Sequence, residues 1–430
     1  MNNLSCLLAI VVVALLPVKT LGQQATGAWL SQSERVRFEE LRESGFQALY
    51  NLDYDKARRD FAEITEAFPQ HPAGPQFVAS TLWIETLYNT RRLQSSLYSS
   101  KSFYANSDEK PDAKVIEQFR NRIREAQKLS QARLKQYPQD IEALYFLGAT
   151  EALKACFEEA VERRHLAALR DGQDAVDHHR AALKLDPNFH DAEVTIGLYD
   201  YVVGTLPFPA KILAGIVGAR GSKKRGLATI ERVAAQGQHA VDQAKTLLIV
   251  LYTREKRYAE AAVLAQEFAT RFPRNYLYRL EAADALVSQS ALERGSNHAA
   301  ENDSRSLEQA LGIFESLLRD KTVTVTAVRA FDLIHYKYGE ALLKAGRPDQ
   351  AAQEFLAAAK VEGAEPGLAT MAHLCAAQAL DAGRKRTEAL AQYQTVLARP
   401  DVYDAHEEAR KGLRAPFKIE AAAAATVAPR

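Results

Sequence analysis

The chain contains little that would interrupt a helix. Its 430 residues include only 21 glycines and 15 prolines, whereas alanine, the strongest helix former, is abundant. Cysteine is scarce too: of three, only Cys156 and Cys375 lie beyond the first stretch of the chain, and two cysteines cannot build a disulfide framework. We therefore predict a helical fold in which both thiols are buried and unpaired.

An excess of charge of one sign is also missing. The 55 basic and 54 acidic residues nearly cancel, so no net field attracts the chain to nucleic acid or to an acidic surface. On this ground we expect no nucleic-acid partner. The apolar fraction of 47% is ordinary for a folded protein and excludes wholesale disorder.

Long apolar runs are absent except for one near the start. This run extends from Leu7 to Val18 and is broken only by Pro17. A membrane-spanning helix needs about 20 apolar residues, so the run is too short to span a bilayer. Its length favours a secretory signal peptide over residues 1–22, although no Lys or Arg precedes it. The alternative is a buried N-terminal helix. The sequence thus predicts export, with a periplasmic or secreted location.

A pattern of small and large residues recurs along the chain. A small residue is followed four positions later by an aromatic or small residue and, in several matches, twelve positions later by proline. The small residues that begin these matches are Ala57, Ala126, Ala175, Ala261, Ala310, Ala351 and Ala389. Gly45 precedes its alanine by twelve positions, as does Gly339.

This pattern resembles the tetratricopeptide repeat, which places Gly, Ala, Phe and Pro at these offsets. Antiparallel helices cross closely where side chains are small, a large ring fills the space beside that contact, and proline ends the second helix. The resemblance implies an all-α tetratricopeptide-repeat solenoid of stacked antiparallel helix pairs. We expect this solenoid to cover residues 23–415, followed by a flexible tail at 416–430.

Several helices are predicted to exceed the usual repeat length. No glycine or proline interrupts the chain from Gln76 to Lys110, and none interrupts it from Ala149 to Asp171. The second stretch also carries apolar residues at helical spacing. We expect Gly172 to end that helix.

The repeat pattern fails in an irregular insert at residues 204–226. Pro207 and Pro209 cannot lie inside a helix, and an apolar run at 210–217 is followed by a basic turn. A Leu-Pro step before an apolar helix and a glycine-spaced turn resembles the tetratricopeptide-39 and inclusion-body-clearance proteins, although Ser222 replaces the acidic residue of that pattern. This resemblance implies architecture more than activity. The candidate interaction surface consists of Ile212, Ile216, Arg220, Lys223, Lys224 and Arg225.

Two further groups could suggest ligand chemistry. Residues 215–224 contain glycine and lysine, but in the wrong order for a phosphate-binding loop. Asp174 and His178 share a helical face, close in sequence to His179 and His190. Nothing completes a zinc ligand set there, so a solvated helix face is the better interpretation. We predict no cofactor and no metal site.

Paired carboxylates raise the question of catalysis. Glu158 and Glu162 share a helical face, as the two acids of a catalytic pair could. The adjacent Arg163 and Arg164 favour a solvated, ion-paired surface instead. Sequence motifs of serine hydrolases and zinc proteases do not occur in the chain. We predict no catalytic residues and a protein that is not an enzyme.

The predicted function comes from the resemblance. Repeat arrays of this kind imply a non-catalytic, exported scaffold or adaptor that binds a protein or peptide in a concave groove lined by the first helices. The alternative is a peripheral envelope protein that contacts lipid through residues 206–225, because an apolar face beside a basic cluster is typical of an interfacial anchor. Membrane contact is the less favoured of the two, and an enzyme with a site late in the solenoid is a third, unsupported alternative.

Overall fold

The computed structural model describes residues 29–90, 93, 112–207, 210–211, 215, 219–294, 300–320, 323 and 330–418. The described residues form α-helices joined by short turns, and no β-strand occurs among them. The predicted all-α helical solenoid is confirmed. The segment 1–22 lies outside the described residues, as does most of the predicted tail, so both remain predictions. None of the described helices is long and apolar enough to cross a membrane.

The contacts divide the chain into two compact units, one ending at Asn275 and the other beginning at Tyr276. The described helices of unit 1 are α1 Gln32–Tyr50, α2 Tyr54–Ala67, α3 Ala73–Asn89, α4 Ala113–Gln136, α5 Ile141–Ala160, α6 His165–Leu185, α7 Glu193–Thr205, α8 Lys223–Gln236, α9 Val241–Arg254 and α10 Tyr258–Arg271. Those of unit 2 are α11 Tyr276–Arg294, α12 Ala300–Arg319, α13 Phe331–Lys344, α14 Pro348–Lys360, α15 Pro366–Ala382, α16 Arg386–Leu397 and α17 Ala405–Arg414.

Within each unit, consecutive helices pack as pairs. In unit 1 the pairs are α1/α2, α3/α4, α5/α6, α7/α8 and α9/α10, and in unit 2 they are α11/α12, α13/α14 and α15/α16, with α17 packed on the last pair. The predicted small-to-large contact holds them together. Cβ atoms at Gly45 and Gly339 would overlap the rings of Phe61 and Phe355, which lie sixteen positions later.

The repeat prolines end second helices as predicted. Pro69, Pro138, Pro187 and Pro273 each lie two positions beyond the last residue of α2, α4, α6 and α10. Proline disfavours the helical conformation of the residue before it, so the helix stops one residue earlier still. Proline spacing therefore predicts these four helix ends directly.

The turn between the two helices of a pair recurs with one geometry. Leu52, Lys256, Gly346 and Arg384 have φ angles of 62°, 59°, 71° and 60°. Each residue lies five positions before the buried alanine of its repeat. The following amide donates to a carbonyl five residues back, as in Arg257 N to Tyr252 O at 2.8 Å and Arg347 N to Leu342 O at 2.9 Å. Only one of the four left-handed residues is glycine, so sequence alone does not reveal the turn.

Two predicted helix boundaries are wrong. The helix expected from Gln76 to Lys110 ends at Asn89 and is followed by the turn residue Thr90. The helix expected to run from Ala149 to Gly172 is broken at residues 161–164, and Gly172 lies inside α6. Arg163 adopts a φ of 56° in that break. Arg163 is exposed, and the break is closed by Arg164 N, which donates to Glu158 O at 2.8 Å. An arginine in a left-handed conformation is uncommon, so the sequence gives no signal for this break.

Two first helices of unit 1, α3 and α5, are buried on almost every side. In α5, all residues from Glu142 to Ala160 except Lys154 are buried, whereas α2 buries only one stripe. Contacts within unit 1 also connect its first helix, α1, with the end of its last helix, α10. The rings of Tyr50 and Phe272 stack with centroids 4.8 Å apart, and Asn275 Nδ2 donates to Tyr50 O at 2.8 Å. Helix pairs of unit 1 therefore also contact pairs that are not their neighbours in sequence.

Two glycines of unit 2 provide a test of the turn geometry, because replacing them by alanine should change the free energy of unfolding in opposite directions. A Cβ at Gly346 or at Gly312 would meet no atom within 4 Å, so neither site has a packing cost. We expect Gly346→Ala to lower the free energy of unfolding by about 1–2 kcal/mol, because its φ is left-handed. We expect Gly312→Ala, in the exposed interior of α12, to raise it by about 0.5–1 kcal/mol. Urea unfolding measures both, and a shift of the same sign in the two variants would refute the turn geometry.

Candidate functional site

The predicted basic turn lies at the start of α8, and its arginine is part of the fold. Arg225 Nη2 donates to Asp200 Oδ1 at 2.6 Å, and Arg225 Nε bonds the other carboxylate oxygen. The Asp200 side chain is only 4% exposed. This hydrogen bond and the nearby negative charge raise the pKa of Arg225 above its usual value. Because Asp200 lies on α7, the bond ties the two helices of this pair together.

A second member of the turn is also occupied. Lys223 Nζ donates to Glu255 Oε2 at 2.7 Å, and Tyr201 OH donates to the other oxygen of the same carboxylate at 2.6 Å. Burial by itself would raise the pKa of Glu255, but the bonds from Lys223 and Tyr201 outweigh it and lower that pKa. Lys223 therefore joins α8 to the end of α9.

Arg220 and Lys224 differ from these two residues. Both are exposed, and neither forms an ion pair with any residue that the structure describes. Ile212 and Ile216 lie outside the described residues. Of the six predicted surface residues, two are thus anchored by carboxylates, two are exposed, and two are not described. Charge in the sequence did not separate the anchored pair from the exposed pair, because their partners lie on other helices.

The ends of the insert pack into the fold. Leu206 and Ala219 form a buried cluster with Val203 of α7, and Leu169 and Tyr199 lie against it. The side chain of Ser222 accepts a hydrogen bond from Arg225 N and caps α8. The glycine- and lysine-containing stretch therefore ends in a helix cap instead of a phosphate loop.

The carboxylates of α5 are not on a solvated surface, contrary to the sequence interpretation. The side chain of Glu158 is 5% exposed and lies 3.2 Å from Arg164 Nη1. The pKa of Glu158 is raised to about 7, chiefly by burial and further by a hydrogen bond to Asp171 and by repulsion from the Asp171 charge. Ion pairing was predicted correctly, but the solvation was not, because α6 and α4 cover this end of α5.

The histidines of α6 also have structural partners. His178 Nδ1 lies 2.8 Å from Glu151 Oε2, and this hydrogen bond raises the pKa of His178. His179 is buried against Gly148 and stacks on Tyr145, and burial lowers its pKa to about 4. Among the described residues, no group of three or more His, Cys, Asp or Glu side chains is arranged to hold a metal ion.

Unit 2 carries a different group of charges on its first helices, which contact one another in the order α11, α13, α15. Lys337 lies 3.2 Å from Glu340, with side chains 21% and 37% exposed. Burial by itself would lower the pKa of Lys337, but the carboxylates of Asp284, Glu340 and Glu281 outweigh it and raise that pKa. We call Glu281, Asp284, Lys337 and Glu340 the unit 2 acidic cluster.

The unit 2 acidic cluster was not identified from the sequence. Its members come from two helices separated by more than fifty positions, and each looks like an ordinary surface charge. Next to it, Tyr336 OH and Cys375 Sγ lie 3.3 Å apart, which brings α15 to the same face. Both Cys156 and Cys375 are free, and burial raises the pKa of each thiol.

Solved structures similar to this chain are helical repeat proteins. A human IFIT1 dimer with PPP-AAAA is 12% identical, with a TM-score of 0.39, over 88% of this chain and 82% of that one. A human IFIT1 dimer with m7Gppp-AAAA is 13% identical, with a TM-score of 0.40, over 86% and 80%. A tetratricopeptide repeat protein from Parabacteroides merdae is 12% identical, with a TM-score of 0.29, over 78% and 99%. At such identities the likeness concerns the fold.

No family model matches the chain, and no curated protein matches it. The helix pairs of the structure itself support a tetratricopeptide-like fold, and the closer resemblance to the tetratricopeptide-39 proteins is not confirmed.

The prediction that excluded a nucleic-acid partner is wrong. The similar human IFIT1 structures hold the oligonucleotides PPP-AAAA and m7Gppp-AAAA. The prediction rested on the near-zero net charge of the chain, and net charge does not report how charges are distributed locally. A balanced total therefore excludes no class of partner.

The two kinds of basic residue in the turn can be separated by mutation. We expect Arg225→Glu to lower the free energy of unfolding by about 1–2 kcal/mol, because Asp200 loses its partner while the arginine itself is half exposed. Lys224→Glu should change it by less than about 0.5 kcal/mol. Thermal and urea unfolding of both variants measure the difference. Equal losses of stability in the two variants would contradict the anchoring role of Arg225. Because Arg220 and Lys224 are not anchored, tests of lipid contact should replace only these two residues.

The buried carboxylate of Glu158 predicts a dependence of stability on pH. Between the usual pKa of 4.5 and about 7, the folded chain holds a proton here that the unfolded chain has lost. The unfolding free energy should therefore fall as pH rises through this window. We expect Glu158→Gln to be more stable relative to the parent at pH 8 than at pH 4.5, as measured by urea unfolding. Parallel pH profiles for the two proteins would contradict the buried, protonated state.

Proposed function

We propose that the chain is a non-catalytic scaffold that docks a basic segment of a protein partner on the first helices of unit 2. The observation that supports this proposal is the unit 2 acidic cluster, in which the carboxylates of Asp284, Glu340 and Glu281 all act on the ammonium of Lys337. Glu340 and Lys337 keep part of their side chains exposed. The exposed part of Glu340 is open to an incoming lysine or arginine.

The exposure of the first helices favours unit 2 over unit 1 as the place of docking. The first helices are the surface on which repeat arrays bind partners, but in unit 1 helices such as α3 and α5 are buried on almost every side. A docked segment would find few exposed side chains on them. In unit 2, α13 leaves His335, Lys337 and Glu340 partly exposed. A polar and partly exposed face suits a reversible partner better than a permanently packed core does.

Export remains part of the proposal. It is supported by the apolar run from Leu7 to Val18, whose length is that of a signal-peptide core. The scaffold role is supported by the fold, and the buried, ion-paired state of the α5 carboxylates gives no reason to assign them a reaction.

The docking face can be tested with probes of opposite charge. Fluorescence anisotropy of the full chain is measured with a lysine-rich peptide, its glutamate-rich counterpart and the oligonucleotide PPP-AAAA. We expect the lysine-rich peptide to bind, and its affinity to fall as salt is added. The double variant Asp284→Asn, Glu340→Gln should lower the affinity for the lysine-rich peptide about tenfold, since two modest charge contacts together contribute about 1.4 kcal/mol.

A matched control removes two carboxylates elsewhere in unit 2. Glu362→Gln with Glu388→Gln changes the net charge equally, and both side chains are exposed. The control should bind like the parent, whereas Lys337→Gln should bind the lysine-rich peptide more tightly. Equal loss in the control and the cluster variant, or binding of PPP-AAAA in place of the lysine-rich peptide, would overturn the proposal.

A further inference from the structure

A cleft between α5, α6 and α7 is independent of the docking face. Its volume is about 50 Å³, and it is lined on all three helices by small and aliphatic side chains. The main apolar lining residues are Ala152, Ala155, Ala168, Leu198 and Val202. Alanines on facing helices leave this space because no larger side chain fills it. An apolar space of this size could remain empty, and its polar lining decides what it can hold.

One end of the cleft holds a buried carboxylate with an unused oxygen. Glu159 lines the cleft, and its side chain is 2% exposed. Its Oε2 lies 2.8 Å from His165 Nδ1. Its Oε1 is buried and has no hydrogen-bond partner among the described residues. A buried carboxylate oxygen without a donor is unfavourable, because the water it lost has not been replaced.

A second polar atom in the same cleft is also unpartnered. Tyr199 lines the cleft from α7, with its ring against Gly172 of α6. Its hydroxyl is buried and has no hydrogen-bond partner among the residues that the structure describes. Two such atoms in one mainly apolar cleft are unusual, since buried polar groups are nearly always hydrogen-bonded. An apolar cleft with these two polar atoms suits a ligand that has an apolar body and a hydrogen-bond donor at one end.

We propose that this cleft binds a primary aliphatic amine in its protonated form. The ammonium group donates to Glu159 Oε1, and the alkyl chain lies against the alanines of α5 and α6. The cleft follows α6 from His165 to Gly172, about 10 Å at the helical rise per residue, which suits a chain of about six carbons. The Tyr199 hydroxyl lies along this path and can bond a polar substituent.

The charge of the site selects the ammonium over other head groups. A buried carboxylate is best compensated by a cation that also donates a hydrogen bond. Glu162, just beyond the end of α5, is already paired with Arg120 and Arg164, so Glu159 itself supplies the charge that an incoming ammonium compensates. A carboxylate or phosphate head group would be repelled, and a neutral alcohol would leave the charge uncompensated.

The proposal is tested on the full chain with n-hexylamine, n-hexanol and hexanoate as probes. Isothermal titration at neutral pH should show binding of hexylamine, weaker binding of hexanol and none of hexanoate. Glu159→Gln keeps the shape of the side chain and should lower the affinity for hexylamine at least tenfold. Glu388→Gln removes an exposed carboxylate outside the cleft and should bind hexylamine like the parent.

Filling the cleft gives a second, independent readout. Ala168→Leu places extra carbon atoms in the space for the alkyl chain and should abolish hexylamine binding. Ala168→Ser changes polarity with little change in volume and should retain it. Melting curves identify any variant that fails to fold. No hexylamine binding by the parent, equal affinity for hexanol, or equal binding by Glu159→Gln would each overturn the proposal.

Discussion

The close contact between a small residue on one helix and a ring on the next determines how this protein is built. Gly45 lies against Phe61, and Gly339 lies against Phe355, with no room for a Cβ at either glycine. In the α5/α6 pair, Gly148 meets the ring of His179 in the same way. This contact sets the spacing of each helix pair, so the faces left for stacking on the next pair, and for binding, depend on it.

The same pairing produces two different environments for the first helices. In unit 1, α3 and α5 are buried nearly all round, and Tyr50 at the end of α1 stacks on Phe272 at the end of α10. In unit 2, α13 keeps Lys337 and Glu340 partly exposed. The same repeat pattern therefore yields fully packed first helices, such as α5, and a first helix with a polar, partly exposed face, α13, where the proposed docking face lies.

Buried charge is the second recurring feature. Asp200 is covered and neutralised by Arg225, whereas Glu158 lies beside Asp171 and keeps a pKa near 7. Glu159 is covered as well, but among the described residues only one of its oxygens has a hydrogen-bond partner. The three acids look alike in sequence. Their different states follow from which cation or donor the neighbouring helix supplies, and this difference separates a structural tie from a binding site.

The sequence by itself determined the helical class, the pairing of helices and the ends of four second helices. Small residues, rings and prolines act over at most a few turns, so their spacing carries this information. Only the tertiary structure decided the break at Arg163, the anchoring of Arg225, the acidic cluster around Lys337 and the cleft at Glu159. Each depends on atoms brought together from different helices, and the free energy of such contacts has no signature in the local order of residues.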